Sequence, residues 1–268
     1  MAGLQIEFQP VCEPVALADV KHFLRVTIDE DDGLIGALIS AAREYCEEFT
    51  NRKFINTGLI QSLDSFPYFT DTIMSQMAYP PSYYSLPRYS TTLWNYSQMI
   101  KLYYSRLARG STSKISYVAS SDLDWHTLVG TDDIQNRAAD FLADVLCEPP
   151  RLFPQAGMYW PSVLYVPNAV QIHYAAGYNW DSAIAAALAE LSPPIDELAT
   201  DAANCTPEEA QLRQADVPAR IKIAINQLVA FWYEAREPLA AAAAKSAPNF
   251  IDALLWSFRV EDYAPTRG

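Results

Sequence analysis

Apolar residues recur at helical spacing in three stretches of the chain. A long helix is predicted over about 31–50, because its apolar positions are three, four and seven residues apart. A shorter helix is predicted over about 16–25, and a third from Pro218, at its first position, to about Arg236. The stripe of the long helix comprises Leu34, Ile35, Leu38, Ile39, Ala42, Tyr45, Cys46 and Phe49. We expect the first two helices to form a hairpin whose apolar face packs against the third.

An acidic turn separates the helices of this hairpin. The carboxylates of Asp29 to Asp32 lie where they could accept hydrogen bonds from the first N–H groups of the long helix and meet its dipole. Asn51 is placed to end that helix in the left-handed conformation. A calcium loop starting at Asp29 would need an acid in place of Gly33 and a glutamate in place of Ser40. The run therefore predicts a helix start and no metal site.

Short β-type segments fill the middle of the chain. The predicted strands are 59–66, 99–106, 114–119 and 169–175, with weaker candidates at 126–129 and 139–146. Gly110 to Ser113 is predicted to be the hairpin loop between the second and third of these strands. Their regular spacing indicates a small antiparallel sheet or sandwich over about 55–178.

Residues 67–98 are rich in tyrosine and proline, and prolines exclude a long helix or central strand there. Two interpretations are open. The segment could be an arm that contacts a partner through Tyr83, Tyr84, Tyr89 and Trp94, because tyrosine buries a large area while its hydroxyl stays paired. Alternatively, it could be a loop that folds back on its own domain.

Charge and composition limit the classes of partner. Nineteen basic and 32 acidic residues give a net charge of −13, so tight nucleic-acid binding is not expected. The acidity could serve solubility, or it could form a surface past which DNA slides. No apolar run approaches the roughly 20 residues of a membrane span, and the first residues do not resemble a signal peptide. We expect a soluble protein made in the cytoplasm, with Cys12, Cys46, Cys147 and Cys205 reduced.

One cluster has the residue types of a catalytic site. Asp122, Asp124 and His126 are two residues apart, so on a strand they could converge on a metal, as in a metal-dependent hydrolase. The preceding serines instead suggest a turn in which Asp122 binds the backbone. No phosphate-binding, dinucleotide-binding, nucleophile-elbow or zinc-protease motif is present. We predict no catalytic residue, cofactor or metal, and hence no enzyme.

The order of these segments resembles the gp6-like head–tail connector (adaptor) family of tailed bacteriophages and related gene-transfer particles. The segments that carry the resemblance are LADVKHFLRVTIDEDDGLIGALISAAREYCEEFTNRKFI (17–55), SLDSFP (62–67), IKLYYSRL (100–107), KISYV (114–118), PNAVQIHYAAGY (167–178), VPARIKIAINQLVAFWYEAREP (217–238) and ALLWSFRV (253–260). The first and the sixth are the more specific. The tyrosine- and proline-rich stretch and an alanine-rich stretch near 181–216 depart from the shorter members.

The resemblance implies a structural protein of the virion neck. Such subunits form a ring of about a dozen copies on the portal, extend the DNA channel without specific binding, and meet a stopper, tail terminator or other tail component. The expected fold is α+β, a helical bundle core formed by N- and C-terminal helices with an inserted antiparallel β-rich region. The expected divisions are 1–55 and 181–238 for the helical core, 56–180 for the β-rich insertion and 239–268 for a tail and docking segment.

The C-terminal segment is a candidate portal contact. Its apolar residues could enter a groove of the portal as a short helix, or could cap their own domain. The residues assigned to portal binding are Phe250, Leu254, Leu255, Phe258 and Arg259. Two other functions compete with the connector role: a β-rich carbohydrate- or peptide-binding module that uses the tyrosine arm, and the hydrolase already described.

Overall fold

The structure is a computed structural model, and it describes residues 3–67, 98–105, 107, 114–133, 135–136, 138–155, 158–178, 207–235 and 249–260. Residues 68–97 of the tyrosine- and proline-rich stretch, residues 181–206 of the alanine-rich stretch and residues 239–248 lie outside these ranges. In the described part, eight strands form one sheet and five helices accompany it.

The strands are β1 (Gly3–Phe8), β2 (Thr57–Leu63), β3 (Ile100–Lys101), β4 (Lys114–Val118), β5 (Trp125–Thr131), β6 (Phe141–Asp144), β7 (Arg151–Pro154) and β8 (Val170–Ala176). Their order in the sheet is β1-β2-β8-β4-β5-β6-β7-β3. All neighbouring pairs are antiparallel except β5 and β6, which are parallel. The sheet is therefore mixed.

The sheet curls until its last strand approaches its second. The side chain of Gln61 on β2 donates to the carbonyl of Lys101 at 3.0 Å and accepts from the Tyr103 N–H at 3.1 Å. Farther along, Leu107 forms a bridge with Ala176 on β8. Strand β1 lies beyond this closure, and β2 is its one partner among the described strands.

Aromatic side chains fill the inside of the curled sheet. The ring of Phe66 stacks on Trp160 with centroids 4.9 Å apart, and Phe141 packs at 6.0 Å from the same indole. The indole N–H of Trp160 donates to the Gln98 carbonyl at 2.7 Å, which satisfies a buried donor. These rings and the buried aliphatic residues around them form one of two cores.

The helices are α1 (Leu17–Leu24), α2 (Asp32–Thr50), α3 (Pro207–Ala215), α4 (Ala219–Ala235) and α5 (Asn249–Leu255), followed by a 3-10 turn at Trp256–Phe258. Helix α2 packs against α4, and α5 packs against both. Their facing side chains form the second core, the helical cluster. Its fully buried members include Val20, Ile35, Ile39, Ala42, Cys46, Ile221, Ile225, Leu228, Ile251 and Leu255.

The predicted fold class was wrong in its main element. A helical bundle with an inserted β region would place the sheet between the helices in sequence, whereas strand β1 precedes α1 and pairs with β2 after α2. The eight-stranded mixed sheet is the larger element, and only the α+β character of the prediction holds. The predicted hairpin around Gly110 to Ser113 was also wrong, because β3 pairs with β7 while β4 pairs with β5 and β8.

Candidate functional site

The end of helix α2 is where the C-terminal segment joins the fold. Asn51 ends the helix in the left-handed conformation, with φ 53° and ψ 40°, as its position predicted. Its side-chain amide donates to the Val260 carbonyl at 3.0 Å, while the Val260 N–H donates to the Thr50 carbonyl at 3.1 Å. These two bonds hold the chain beyond α5 against the last turn of α2. We call this contact region the α2 junction.

Arg52 extends the junction to the sheet. Its Nε donates to the Phe258 carbonyl, and its other two nitrogens form a bidentate pair with Glu148 at 2.8 and 2.5 Å. Glu148 lies between β6 and β7. Bidentate arginine–carboxylate pairs fix orientation as well as supplying energy. One guanidinium thus connects the helical cluster, the C-terminal segment and the sheet.

A buried carboxylate supports the same turn from inside. Glu47 is 1% exposed. It accepts from Lys53 Nζ at 2.7 Å, from Arg43 Nη1 at 3.3 Å and from the Phe54 N–H at 3.0 Å. Arg43 also pairs with Glu13 at 2.9 Å, which ties in the segment before α1. The charge of Glu47 is therefore fully compensated, as a buried carboxylate requires.

The C-terminal segment presents one face to the core and one to solvent. Ile251 and Leu255 are fully buried in the helical cluster, so Leu255 contacts its own chain in this conformation. Leu254 and Phe258 are partly buried, and the guanidinium of Arg259 lies over the rings of Phe49 and Trp256 at 5.6 and 5.4 Å. On the solvent side, Phe250 is 49% exposed and Trp256 is 58% exposed. The exposed face thus includes Trp256, which the sequence analysis did not select.

The acidic turn is organised by ion pairs. Lys21 Nζ binds Asp29 at 2.7 Å and Asp32 at 2.6 Å, and the Lys21 ammonium lowers the pKa of Asp29. The expected side-chain cap is not formed by Asp31, although it is the N-cap residue of α2. The Asp31 carboxylate instead accepts from the Tyr233 hydroxyl on α4 at 2.5 Å. The turn therefore ties the helices together.

The proposed metal ligands form a local turn. Asp122 accepts from the Asp124 N–H at 3.1 Å and contacts His126 Nε2 at 2.9 Å. The backbone hydrogen bond lowers the pKa of Asp122, with a smaller contribution from His126. Within the described residues, no group of three or more histidine, cysteine, aspartate or glutamate side chains could hold a metal ion. The arrangement is an Asx turn next to β5.

Several remaining observations bear on site assignment. Tyr83, Tyr84, Tyr89 and Trp94 lie outside the described residues. Burial raises the pKa of the Cys46 thiol to about 12, so this cysteine is a core residue with little thiolate character. No helix in the described part of the chain is long and apolar enough to cross a membrane.

Comparison with known proteins gives one family match and several structural matches. Residues 14–79 match the family model of the Phage gp6-like head-tail connector protein. No curated protein matches the sequence. The family match contains α1, α2, the α2 junction residues 50–54 and β2.

The structural matches extend over the whole length. A chain in the neck of the empty gene transfer agent (GTA) particle, computed with C6 symmetry, is 14% identical with a TM-score of 0.53, and 100% of both chains is covered. A chain in the neck of the native GTA particle, computed with C12 symmetry, is 15% identical with a TM-score of 0.54, covering 98% of this chain and 100% of that one. A chain of the native GTA virion is 14% identical with a TM-score of 0.52, covering 96% of this chain and 95% of that one.

At these identities the structural likeness establishes a shared fold. The family match relates the N-terminal helical part to the head–tail connector family. Together they confirm the resemblance of this chain to the gp6-like head–tail connector proteins.

Proposed function

We propose that the chain is a structural head–tail connector subunit, located in the neck of a phage-like particle. The single observation that carries this proposal is the family match over residues 14–79 on a fold that is shared from end to end with chains of GTA necks. The role is structural and not enzymatic.

The same comparison supports assembly into a ring, and the proposal extends this to a ring seated on the portal. The related necks were computed with C6 and C12 symmetry, which supports a ring at the head–tail junction, with about a dozen copies expected. Such a ring would extend the DNA channel and offer its far face to a stopper, tail terminator or other tail component. The net charge of −13 favours passage of DNA without specific binding, because like charges repel.

Portal docking is assigned to the C-terminal segment. Its exposed side chains, Phe250 and Trp256, would enter the portal groove together with the exposed parts of Leu254 and Phe258. Leu255 would hold the segment to the helical cluster rather than touch the portal, because it is fully buried. Arg259 would contribute a polar contact at the rim.

The test is binding of the purified protein to heads that carry their portal. The wild type should sediment with the heads and appear at one vertex by electron microscopy. The double variant Phe250→Asp/Trp256→Asp should lose at least ten-fold in binding with unchanged unfolding temperature. The matched control is Ile223→Asp, because Ile223 on α4 is 48% exposed, almost as exposed as Phe250, and lies outside the segment. Absence of wild-type binding would overturn the connector proposal, whereas equal binding by all three proteins would overturn only the portal contact.

A further inference from the structure

Strand β1 is an edge strand with little of its surface covered. It lies outside the closed part of the sheet, and Gly3 to Glu7 are all exposed. Leu4 and Ile6, whose side chains would ordinarily be buried, are 37% and 49% exposed. One side of the strand pairs with β2, from Gly3–Ser62 to Phe8–Gly58, and no described strand pairs with its other side.

Features that normally protect a sheet edge are missing from the first four residues of this strand. Gly3 to Ile6 contain no proline and no charged side chain, and the bulge comes only after Ile6. Proteins that leave an edge open usually place lysine, proline or a bulge there, because a row of unpaired N–H and C=O groups recruits another strand. The start of β1 is therefore suited to accept a strand.

Strand β5 offers a second open edge of the same length. Asp140 binds both the N–H and the C=O of Val129, at 2.9 and 3.0 Å, so these Val129 groups point towards β6. In an antiparallel pair every second residue points its backbone groups to the same side, so those of Thr127 and Trp125 also point there. Strand β6 pairs only with Gly130 and Thr131, so no strand of the described chain covers Trp125 to Leu128 on this side.

The charge of the protein favours contact between copies at these two edges. Each copy carries −13, so two copies repel unless the touching surfaces are poor in acids. Neither Gly3–Ile6 nor Trp125–Leu128 contains an acidic residue. Both edges expose apolar side chains as well, since Trp125 is 55% exposed. Contact between these two segments would bury apolar area without bringing acidic side chains of either segment together.

A closed ring also requires two different surfaces on every subunit, because its contacts run head to tail. We propose that Gly3–Ile6 of one copy pairs with Trp125–Leu128 of the next copy, so that the sheet continues from subunit to subunit. This inference rests on the proposed connector function. It adds the contacting surfaces, which the ring symmetry alone does not identify.

The test is chemical cross-linking between two introduced cysteines on heads that carry their portal. The variant Leu4→Cys/Thr127→Cys is made in a background with Cys12, Cys147 and Cys205 replaced by serine, and Cys46 is retained because it is buried. After treatment with a short bismaleimide, denaturing electrophoresis should show a ladder of dimers, trimers and larger oligomers. Each single-cysteine variant should give monomers only.

The controls separate this inference from the connector function. A matched pair, Leu4→Cys/Leu146→Cys, places the second cysteine at an exposed residue outside β5 and should give no ladder. Occupied heads without a ladder from Leu4→Cys/Thr127→Cys would overturn the edge pairing and leave the connector role standing. Dimers from Leu4→Cys alone would show pairing of β1 with itself and would also overturn it. Unoccupied heads with wild-type protein would overturn both proposals.

Discussion

The helical cluster and the curled sheet are held together by different kinds of contact. In the helical cluster, the apolar stripes of the helices meet. At the end of α2 the buried carboxylate Glu47 binds partners on α2 and in the turn after it, and Arg43 also reaches the segment before α1. In the sheet, the interior is aromatic, and the rings of Phe66, Trp160 and Phe141 contact one another directly. The two regions thus differ in their buried groups: charged side chains support the end of α2, whereas stacked rings fill the inside of the sheet.

The largest expected effect concerns the buried carboxylate near the end of α2. Glu47→Ala should lower the free energy of unfolding by about 3–5 kcal/mol, because it leaves the buried ammonium of Lys53 and guanidinium of Arg43 without their shared carboxylate. Urea unfolding monitored by circular dichroism measures the change. The neighbouring variant Glu44→Ala, at an exposed carboxylate, should change it by less than about 1 kcal/mol. Equal losses in the two variants would contradict the central role of Glu47.

The second prediction concerns ring fit in the sheet. A Cβ added at Gly130 would lie 2.2 Å from the buried ring of Phe141, so Gly130→Ala should destabilise the protein by about 1–3 kcal/mol. The control is Gly36→Ala on α2, where an added Cβ meets nothing within 4 Å. This substitution should stabilise the protein by about 0.5–1 kcal/mol. Thermal unfolding of both variants gives the comparison. Similar shifts in the same direction would show that the Phe141 contact does not restrict the site.

The third prediction separates backbone conformation from the side-chain contact at the α2 junction. Asn51→Ala should cost about 1–2 kcal/mol, because alanine disfavours the left-handed conformation and the bond to Val260 is lost. Asn51→Gly keeps the left-handed conformation available and loses only the hydrogen bond to Val260, so it should lower the free energy of unfolding by less. Hydrogen exchange of residues 249–260 should rise in both variants. Protection unchanged from wild type would contradict the anchoring role of Asn51.

The smallest effect is expected at the Asx turn. Because the pKa of Asp122 is lowered in the fold, its contribution to stability is present above the unfolded pKa and is lost as the pH falls through the folded pKa. Asp122→Asn should therefore lower stability slightly at neutral pH, leave it unchanged below the folded pKa, and so flatten the stability profile between the two. Carboxyl NMR titration measures the pKa directly. The double variant Asp122→Asn/Asp124→Asn, outside β5, should leave particle assembly intact, and lost assembly would argue for a further role of this turn.

The helices were predictable because their signals are local. The spacing of apolar residues and the left-handed Asn51 placed α2 at about 31–50, close to the observed Asp32–Thr50. The predicted strand at 99–106 shrank to Ile100–Lys101, because the Gln61 side chain takes the backbone groups of Lys101 and Tyr103. Strand β1 was missed because it is an edge strand with both faces exposed. Its place in the sheet depends on pairing with β2, about fifty residues away.

The site was less predictable than the helices, because its contacts join distant parts of the sequence. The segment 17–55 was recognised as one of the more specific, and Asn51 was predicted to end α2, but the contacts of Asn51 and Arg52 with the C-terminal segment and the sheet were not predicted. Asn51 and Val260 are 209 positions apart, and Arg52 and Glu148 are 96 apart. Spacing rules act over a few residues and cannot identify such partners. Trp256 was also overlooked, since only the fold shows which side of the C-terminal segment faces solvent.

The burial of Ile251 and Leu255 has a consequence for the timing of synthesis. Helices α2 and α4 leave the ribosome first, but the core that they share also includes Ile251 and Leu255 from the segment 249–260. Since domains fold as their sequence emerges, the helical cluster cannot complete its packing until this segment has been translated. A nascent chain interrupted before residue 249 would lack both the Val260 bonds and the exposed Phe250–Trp256 surface. Chains truncated before residue 249 are therefore expected to leave the helical cluster incompletely packed.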